Sequence, residues 1–266
     1  MEATHVSTIA FVAMAMSVAL SIGVPIALFF VVRKRYGKGI LPAILGAAGF
    51  LIFARVLEQV LHLIVLIDPD GSIPLMERPL LYMLYGALAA GVFEETARFV
   101  SFHILKKRRA GIGVALKHGI GHGGMEAFLV GGASMISSMA LASMLNTLGV
   151  EGLAQTGGAA GLGQALELAA APTSLLFLSG VERMMALAVH ISLSVIVYYA
   201  VYKPRKVWLF PLAILLHALV NCAPALMQAG AISSVWLVEG IVLVTAAGVA
   251  AVAVLLHKRL EPKESQ

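Results

Sequence analysis

The sequence predicts an all-α, polytopic membrane protein with about seven transmembrane helices. Of its 266 residues, 60% are hydrophobic and only 12% are charged, whereas roughly 25% are charged in a typical soluble domain. The mean hydropathy is +0.93, and apolar runs longer than about 18 residues, the length that a transmembrane helix needs, recur along the chain. The runs do not alternate between polar and apolar residues, which excludes an outer-membrane barrel.

Seven apolar segments define the predicted helices, and together they form a single integral membrane domain over residues 1–266. They cover about residues 7–32, 41–67, 79–105, 114–145, 173–202, 207–228 and 234–256. The fourth segment is too long for one straight span, so we expect a kink at Gly131-Gly132 or an exit from the membrane. The Gly- and Ala-rich residues 146–172 are predicted to form an outer loop with a short helix near its end.

Basic clusters follow the first, third, fifth and seventh segments, and the loops after the other segments lack them. By the positive-inside rule, the N-terminus lies outside and the C-terminus lies in the cytoplasm of a multi-pass cell-membrane protein. These clusters also account for the net charge of +5, so we expect membrane lipids and no nucleic acid as partners. Cys222 is the single cysteine, which excludes an internal disulfide and a cysteine-rich zinc site.

Polar residues of four predicted helices fall into one layer of the membrane. Counted at 1.5 Å per residue from each cytoplasmic end, they lie about 12–21 Å deep. A charged side chain at such depth costs roughly 2.5–3.5 kcal/mol on insertion scales, so we predict one shared buried site. Its candidate residues are Glu94, Glu95, His122, Glu126, His190, His217 and Asn221.

Helical spacing adds two details to this layer. Arg98 lies one turn after Glu94, so the two share a helix face. His122 shares a face with Glu126 and with His118, but His118 is closer to the inner membrane surface and is predicted to lie at the rim. The glycines around His122 are expected to let neighbouring backbones approach closely.

Imidazoles and carboxylates at one depth are compatible with two hydrolytic schemes. In the first, which needs no cofactor, a buried glutamate acts as general base on water and His and Asn donors stabilise the oxyanion. In the second, His122, His190 and His217 bind Zn²⁺ and a glutamate deprotonates the bound water, with Glu126 as a further ligand. The His-Glu-x-x-His signature of soluble metalloproteases is absent, and the two schemes stay open.

Three motifs resemble those of the YhfC-type membrane peptidases, which are related to the CAAX prenyl-endopeptidases, the bacteriocin-processing proteins and the PrsW-type proteases. They are Glu-Glu-Thr-Ala-Arg at 94–98, Gly-His-Gly-Gly-Met-Glu at 121–126 and His-Ala-Leu-Val-Asn at 217–221. The resemblance implies that Glu94 activates water, that Arg98 orients the glutamate pair and that His217 and Asn221 lie near the oxyanion.

The chain departs from the CAAX-type pattern in two places. Two residues, rather than three, separate the glutamate pair from Arg98, and the Phe-x-x-x-His motif of a separate helix is missing. We assign the role of that histidine to His122.

These features together predict an intramembrane endopeptidase, either glutamate-type or zinc-dependent. Glu94 is the expected base, held by Glu95 and Arg98, while His122 and His190 share proton transfer or bind the metal. The substrate is expected to be a peptide or membrane protein, with or without a lipid modification. The alternative is a proton-coupled transporter or channel that uses the same residues as a relay, although no inverted repeat is found.

Overall fold

The computed structural model describes residues 4–68, 70–107 and 109–261, and within these ranges it contains helices and turns but no strand. The predicted all-α class is therefore confirmed. We number the long helices in chain order. They are α1 (Thr8–Tyr36), α2 (Leu41–Val65), α3 (Pro79–Lys106), α4 (Ile112–Glu126), α5 (Ser134–Ala170), α6 (Thr173–Tyr202), α7 (Leu209–Gln228) and α8 (Val235–Leu260).

Six helices are long and apolar enough to cross a membrane when α4 and α5 are counted as one helical run, Ile112–Ala170. The chain is therefore a multi-pass membrane protein. Helix α3 is not among the six, although its 28 residues correspond to about 42 Å of helix. Its charged residues lower its hydropathy below that of the others. The count of seven spans and the orientation of the termini stay predictions.

The residues predicted to form an outer loop are largely helical. Helix α5 extends to Ala170, with backbone breaks at Gly149 and Gly158, where φ is 70° and 66°. Glycine adopts such positive φ values readily, and the alanines between and after the breaks favour helix. A π-helical segment, Ala127–Ala133, joins α4 to α5 at the position of the predicted kink.

The described residues form two compact units. The first, which we call the α5 unit, contains the residues up to Ala27 together with Glu126–Met184. Its core includes Met14, Leu145 and Leu153, all fully buried. The second, which we call the α3 unit, contains Leu28–Met125 and the residues from Met185 onwards. The prediction of a single membrane domain is not tested by this division.

Helices α3 and α7 pack against each other over an extensive contact in the α3 unit. They are antiparallel: the Phe99 ring packs on Phe210 with centroids 4.5 Å apart, and Tyr82 donates a hydrogen bond to Gln228 at 3.2 Å. Gly91 permits the close approach, since a Cβ atom there would lie 2.7 Å from the Ile214 carbonyl oxygen. This register brings the charged part of α3 beside the middle of α7.

Candidate active site

Helix α3 places two carboxylates and one guanidinium in the interior of the α3 unit. Glu95 and Arg98 are 0% exposed and Glu94 is 7% exposed. Arg98 Nη1 donates a hydrogen bond to Glu95 Oε1 at 2.6 Å, and Arg98 Nη2 lies 3.8 Å from Glu94 Oε2. A buried carboxylate without a partner is costly, so Arg98 supplies the partner that both carboxyl groups need here.

Three histidines from three other helices converge on these carboxylates. His122 of α4 donates through Nε2 to Glu94 Oε2 at 2.8 Å, and His217 of α7 donates through Nδ1 to Glu95 Oε1 at 2.7 Å. His190 of α6 accepts a hydrogen bond from Arg98, and its Nδ1 lies 3.7 Å from Glu94 Oε2. We call these six residues the Glu/His cluster. They are Glu94, Glu95, Arg98, His122, His190 and His217.

Glycines of α4 bring its neighbours close enough for this convergence. A Cβ atom at Gly123 would lie 2.9 Å from His190 Cβ, and one at Gly119 would lie 2.5 Å from Ile191 Cα. A Cβ atom at Gly121 would collide with the Ala43 carbonyl. The expectation that glycines let backbones approach here is confirmed for these three positions.

Several buried polar atoms of the cluster have no protein partner among the described residues. They are His122 Nδ1, Glu95 Oε2 and Arg98 Nε. Buried polar groups are nearly always hydrogen-bonded to protein or water, so such atoms indicate a place for a bound group. Glu94, His122 and His190 each also offer a ligand atom, and the three atoms lie within 4.8 Å of one another.

A family model described as YhfC intramembrane metalloprotease matches residues 19–242 of this chain. The chain is also 38% identical, over 244 residues, to the protein of Bacillus subtilis (strain 168) described as uncharacterized membrane protein YhfC. That match covers 91% of this chain and 94% of the relative. The chain belongs to the YhfC intramembrane metalloprotease family. No solved structure matches it.

The metal that the family description implies fits the cluster by its donor set. Two imidazoles and one carboxylate are an established ligand set of catalytic zinc sites, and here they converge in a buried place. The fit also identifies a residue whose metal-binding capacity the sequence interpretation missed. Glu94 was expected to act only as base, although its estimated depth already matched that of His190.

Two residues proposed from the sequence as metal ligands make other contacts. Glu126 lies in the α5 unit, where Arg183 Nη1 donates a hydrogen bond to its Oε1 at 2.8 Å. The His217 Nδ1 atom is engaged with Glu95, and its Nε2 lies 3.9 Å from Glu94 Oε1. His217 is thus beside the three convergent ligands, as a partner of the second glutamate.

Asn221 lies one helical turn beyond His217 on α7 and lines a separate cavity of about 330 Å³ with Glu58, His62 and Gln228. The hydrogen bonds of the Glu/His cluster described above do not include it. Its expected role at the oxyanion therefore stays a prediction.

His118 differs from its expected position. The structure buries it completely, against the Phe102 ring at a centroid distance of 4.6 Å, with Nδ1 3.3 Å from Ser194 Oγ. The prediction of a rim residue was wrong because counting along one helix ignores the side chains that neighbouring helices lay over it.

Proposed function

We propose that this protein is an intramembrane endopeptidase whose zinc site is formed by Glu94, His122 and His190. The observation that carries the proposal is the convergence of these three buried side chains, with ligand atoms within 4.8 Å of one another. Membership of a family described as intramembrane metalloproteases supports it. The transporter alternative is not favoured, because nothing in the family description supports it.

Peptide hydrolysis needs an activated water, a proton acceptor and a donor for the leaving amine. When bound, zinc would polarise the scissile carbonyl and make water a better nucleophile. We assign the proton transfer to Glu95. Its Oε1 is held by Arg98 and His217, while its Oε2 has no partner among the described residues. We therefore move the role of base from Glu94 to Glu95.

The proposed proton balance is simple. The water oxygen bonds to the carbonyl carbon, one water proton passes to Glu95 Oε2, and the C–N bond breaks as that proton is delivered to the amine nitrogen. Arg98 holds both Glu95 and His190 by hydrogen bonds. His217 fixes the orientation of Glu95 through the hydrogen bond from Nδ1. Asn221 is assigned, as before, to the oxyanion.

The test compares zinc content and cleavage in purified wild type, Glu94→Gln and Glu95→Gln. Zinc is measured by elemental mass spectrometry, and cleavage is measured on a defined mixture of apolar peptides in detergent. We expect Glu95→Gln to keep zinc and to lose about 10²–10⁴-fold in cleavage, because only proton transfer is removed. We expect Glu94→Gln to lose both zinc and cleavage, because a ligand is removed.

Glu77→Gln, which changes an exposed glutamate, serves as the matched control and should change neither zinc content nor cleavage. In wild type, a chelator should remove zinc and cleavage together, and added zinc should restore both. Full cleavage by zinc-free wild type would overturn the metal scheme and return the base to Glu94. Zinc-loaded wild type that cleaves no peptide of the mixture would contradict the peptidase itself.

A further inference from the structure

A second cavity, of about 480 Å³, lies in the α3 unit away from the Glu/His cluster. It is formed where the connection between α1 and α2 meets the connection between α3 and α4, with the C-terminal end of α8 beside it. Helices α1 and α2 are membrane spans, so their shared connection lies where the chain leaves the apolar layer. We call this cavity the loop cavity.

Most of the charged residues that line the loop cavity are positive. Lys38, Arg109 and Lys117 contribute three cations, and Glu261 contributes one carboxylate. Lys117 is 4% exposed, and its ammonium donates a hydrogen bond to the Gly37 carbonyl at 3.1 Å. Among the described residues, no carboxylate lies within ion-pair distance of these three cations. The cavity therefore holds positive charge that neutral carbonyls only partly offset.

The backbone at the cavity favours an anion as well. Helix α4 begins at Ile112, and its first residues, Ile112, Gly113 and Val114, line the cavity. The first amides of a helix carry partial positive charge and commonly bind phosphate. Gly113 lets the chain pass close to Tyr36, since a Cβ atom there would collide with the Tyr36 side chain. Cationic side chains and helix amides thus surround one space.

We propose that the loop cavity binds the phosphate group of an anionic phospholipid. The chemistry recognised is a phosphate oxyanion, which Arg109 can bind through its planar fork and the lysines as point charges. The source is a lipid because the cavity lies between ends of membrane-spanning helices, where head groups reside and where basic pockets bind them. This inference does not rest on the peptidase proposal.

Such a lipid would link the α1–α2 connection to the α3–α4 connection, which joins the two helices that carry Glu94, Glu95, Arg98 and His122. It would thereby hold the ends of both helices together at the membrane surface. The bound lipid should stabilise the folded protein, and the stabilisation should rise with lipid concentration.

The experiment measures lipid retention by native mass spectrometry of the purified full chain in mixed micelles of phosphatidylglycerol and phosphatidylcholine. We expect wild type to retain phosphatidylglycerol about tenfold over phosphatidylcholine. Lys38→Gln and Arg109→Gln should each weaken this retention about fivefold, since each removes one cation from the site. Glu261→Gln should strengthen it by a similar factor, because it removes the opposing charge.

Lys34→Gln is the matched control, because it removes an exposed cation of the last turn of α1 that does not line the loop cavity. Its retention of phosphatidylglycerol should stay within about twofold of that of wild type. Thermal unfolding of each variant checks folding. Equal retention by wild type, Lys38→Gln and Arg109→Gln would overturn the proposal. A second arm repeats thermal unfolding with millimolar inorganic phosphate. Stabilisation by inorganic phosphate but not by phosphatidylglycerol would also overturn the proposal, because it would indicate a soluble phosphate ligand.

Discussion

The two compact units each contain a carboxylate–guanidinium group, and the two groups differ in what surrounds them. In the α5 unit, Arg183 pairs with Glu126 at 2.8 Å and with Glu182. In the α3 unit, Arg98 pairs with Glu95 at 2.6 Å and lies 3.8 Å from Glu94. Both arginines are largely buried, with side chains 12% and 0% exposed respectively.

The two groups differ because histidine side chains surround the carboxylates of the α3 unit. Of the described residues, those whose ligand atoms converge closely enough for a metal ion are Glu94, His122 and His190, all in the α3 unit. A charged pair in an apolar helix can stabilise a particular packing without any chemistry. The comparison therefore teaches that a buried charged pair marks an interior position, whereas converging imidazoles mark a site.

The strongest way to break this comparison is to remove one member of each group and to measure cleavage. We expect His122→Ala to lower cleavage of the apolar peptide mixture by about 10²–10⁴-fold and to lose zinc, because a ligand is removed. Glu126→Gln should keep cleavage within about threefold of wild type and keep zinc. Loss of zinc in Glu126→Gln would place Glu126 among the ligands after all.

The arginines provide the second test, with stability as the readout. Arg98→Gln should lower the free energy of unfolding by about 3–5 kcal/mol, because it leaves the fully buried Glu95 without a counter-charge. Arg183→Gln should cost less, about 1–3 kcal/mol, because Glu126 and Glu182 are partly exposed. Denaturation in mixed micelles measures both. A larger loss for Arg183→Gln would reverse the ranking of the two groups.

Two glycines sharpen the comparison further, with the smallest expected effects. Gly123→Ala presses on His190, and Gly131→Ala presses on Arg183, whose Cγ would lie 2.7 Å from the new Cβ. We expect each to cost about 1–3 kcal/mol of stability through overpacking. Zinc affinity should fall by about tenfold in Gly123→Ala alone, as followed by competition with a chelating dye. Equal losses of zinc affinity in both variants would show that the loss comes from general destabilisation.

Some features of the fold and the site could be predicted from the sequence because they depend only on the position of a residue along its own helix. Apolar run length indicated the helices of this membrane protein. The cost of burying charge, combined with the rise per residue, indicated that α3, α4, α6 and α7 share a polar layer. Five of the six members of the Glu/His cluster were named this way, and Arg98 was named from its helical spacing to Glu94. The structure brings these six together.

Depth in the membrane is only one of the three coordinates of a side chain. The tertiary structure decided the other two, which determine its neighbours. Glu126 and Asn221 were assigned to the same layer, yet Glu126 pairs with Arg183 and Asn221 lines a different cavity. The direction in which a side chain points depends on how each helix is rotated and on which neighbours pack against it.

The sequence by itself therefore determined that this protein is helical and lies in the membrane, because hydropathy is a property of the local chain. It also predicted, from the helical rise, a common depth for Glu94, Glu95 and three histidines. Only the tertiary structure decided that Glu94 lies beside His122 and His190 and that Glu95 bonds to His217. It also decided that His118 is buried against Phe102. Those choices depend on close contacts between helices, which glycines such as Gly91 and Gly123 permit.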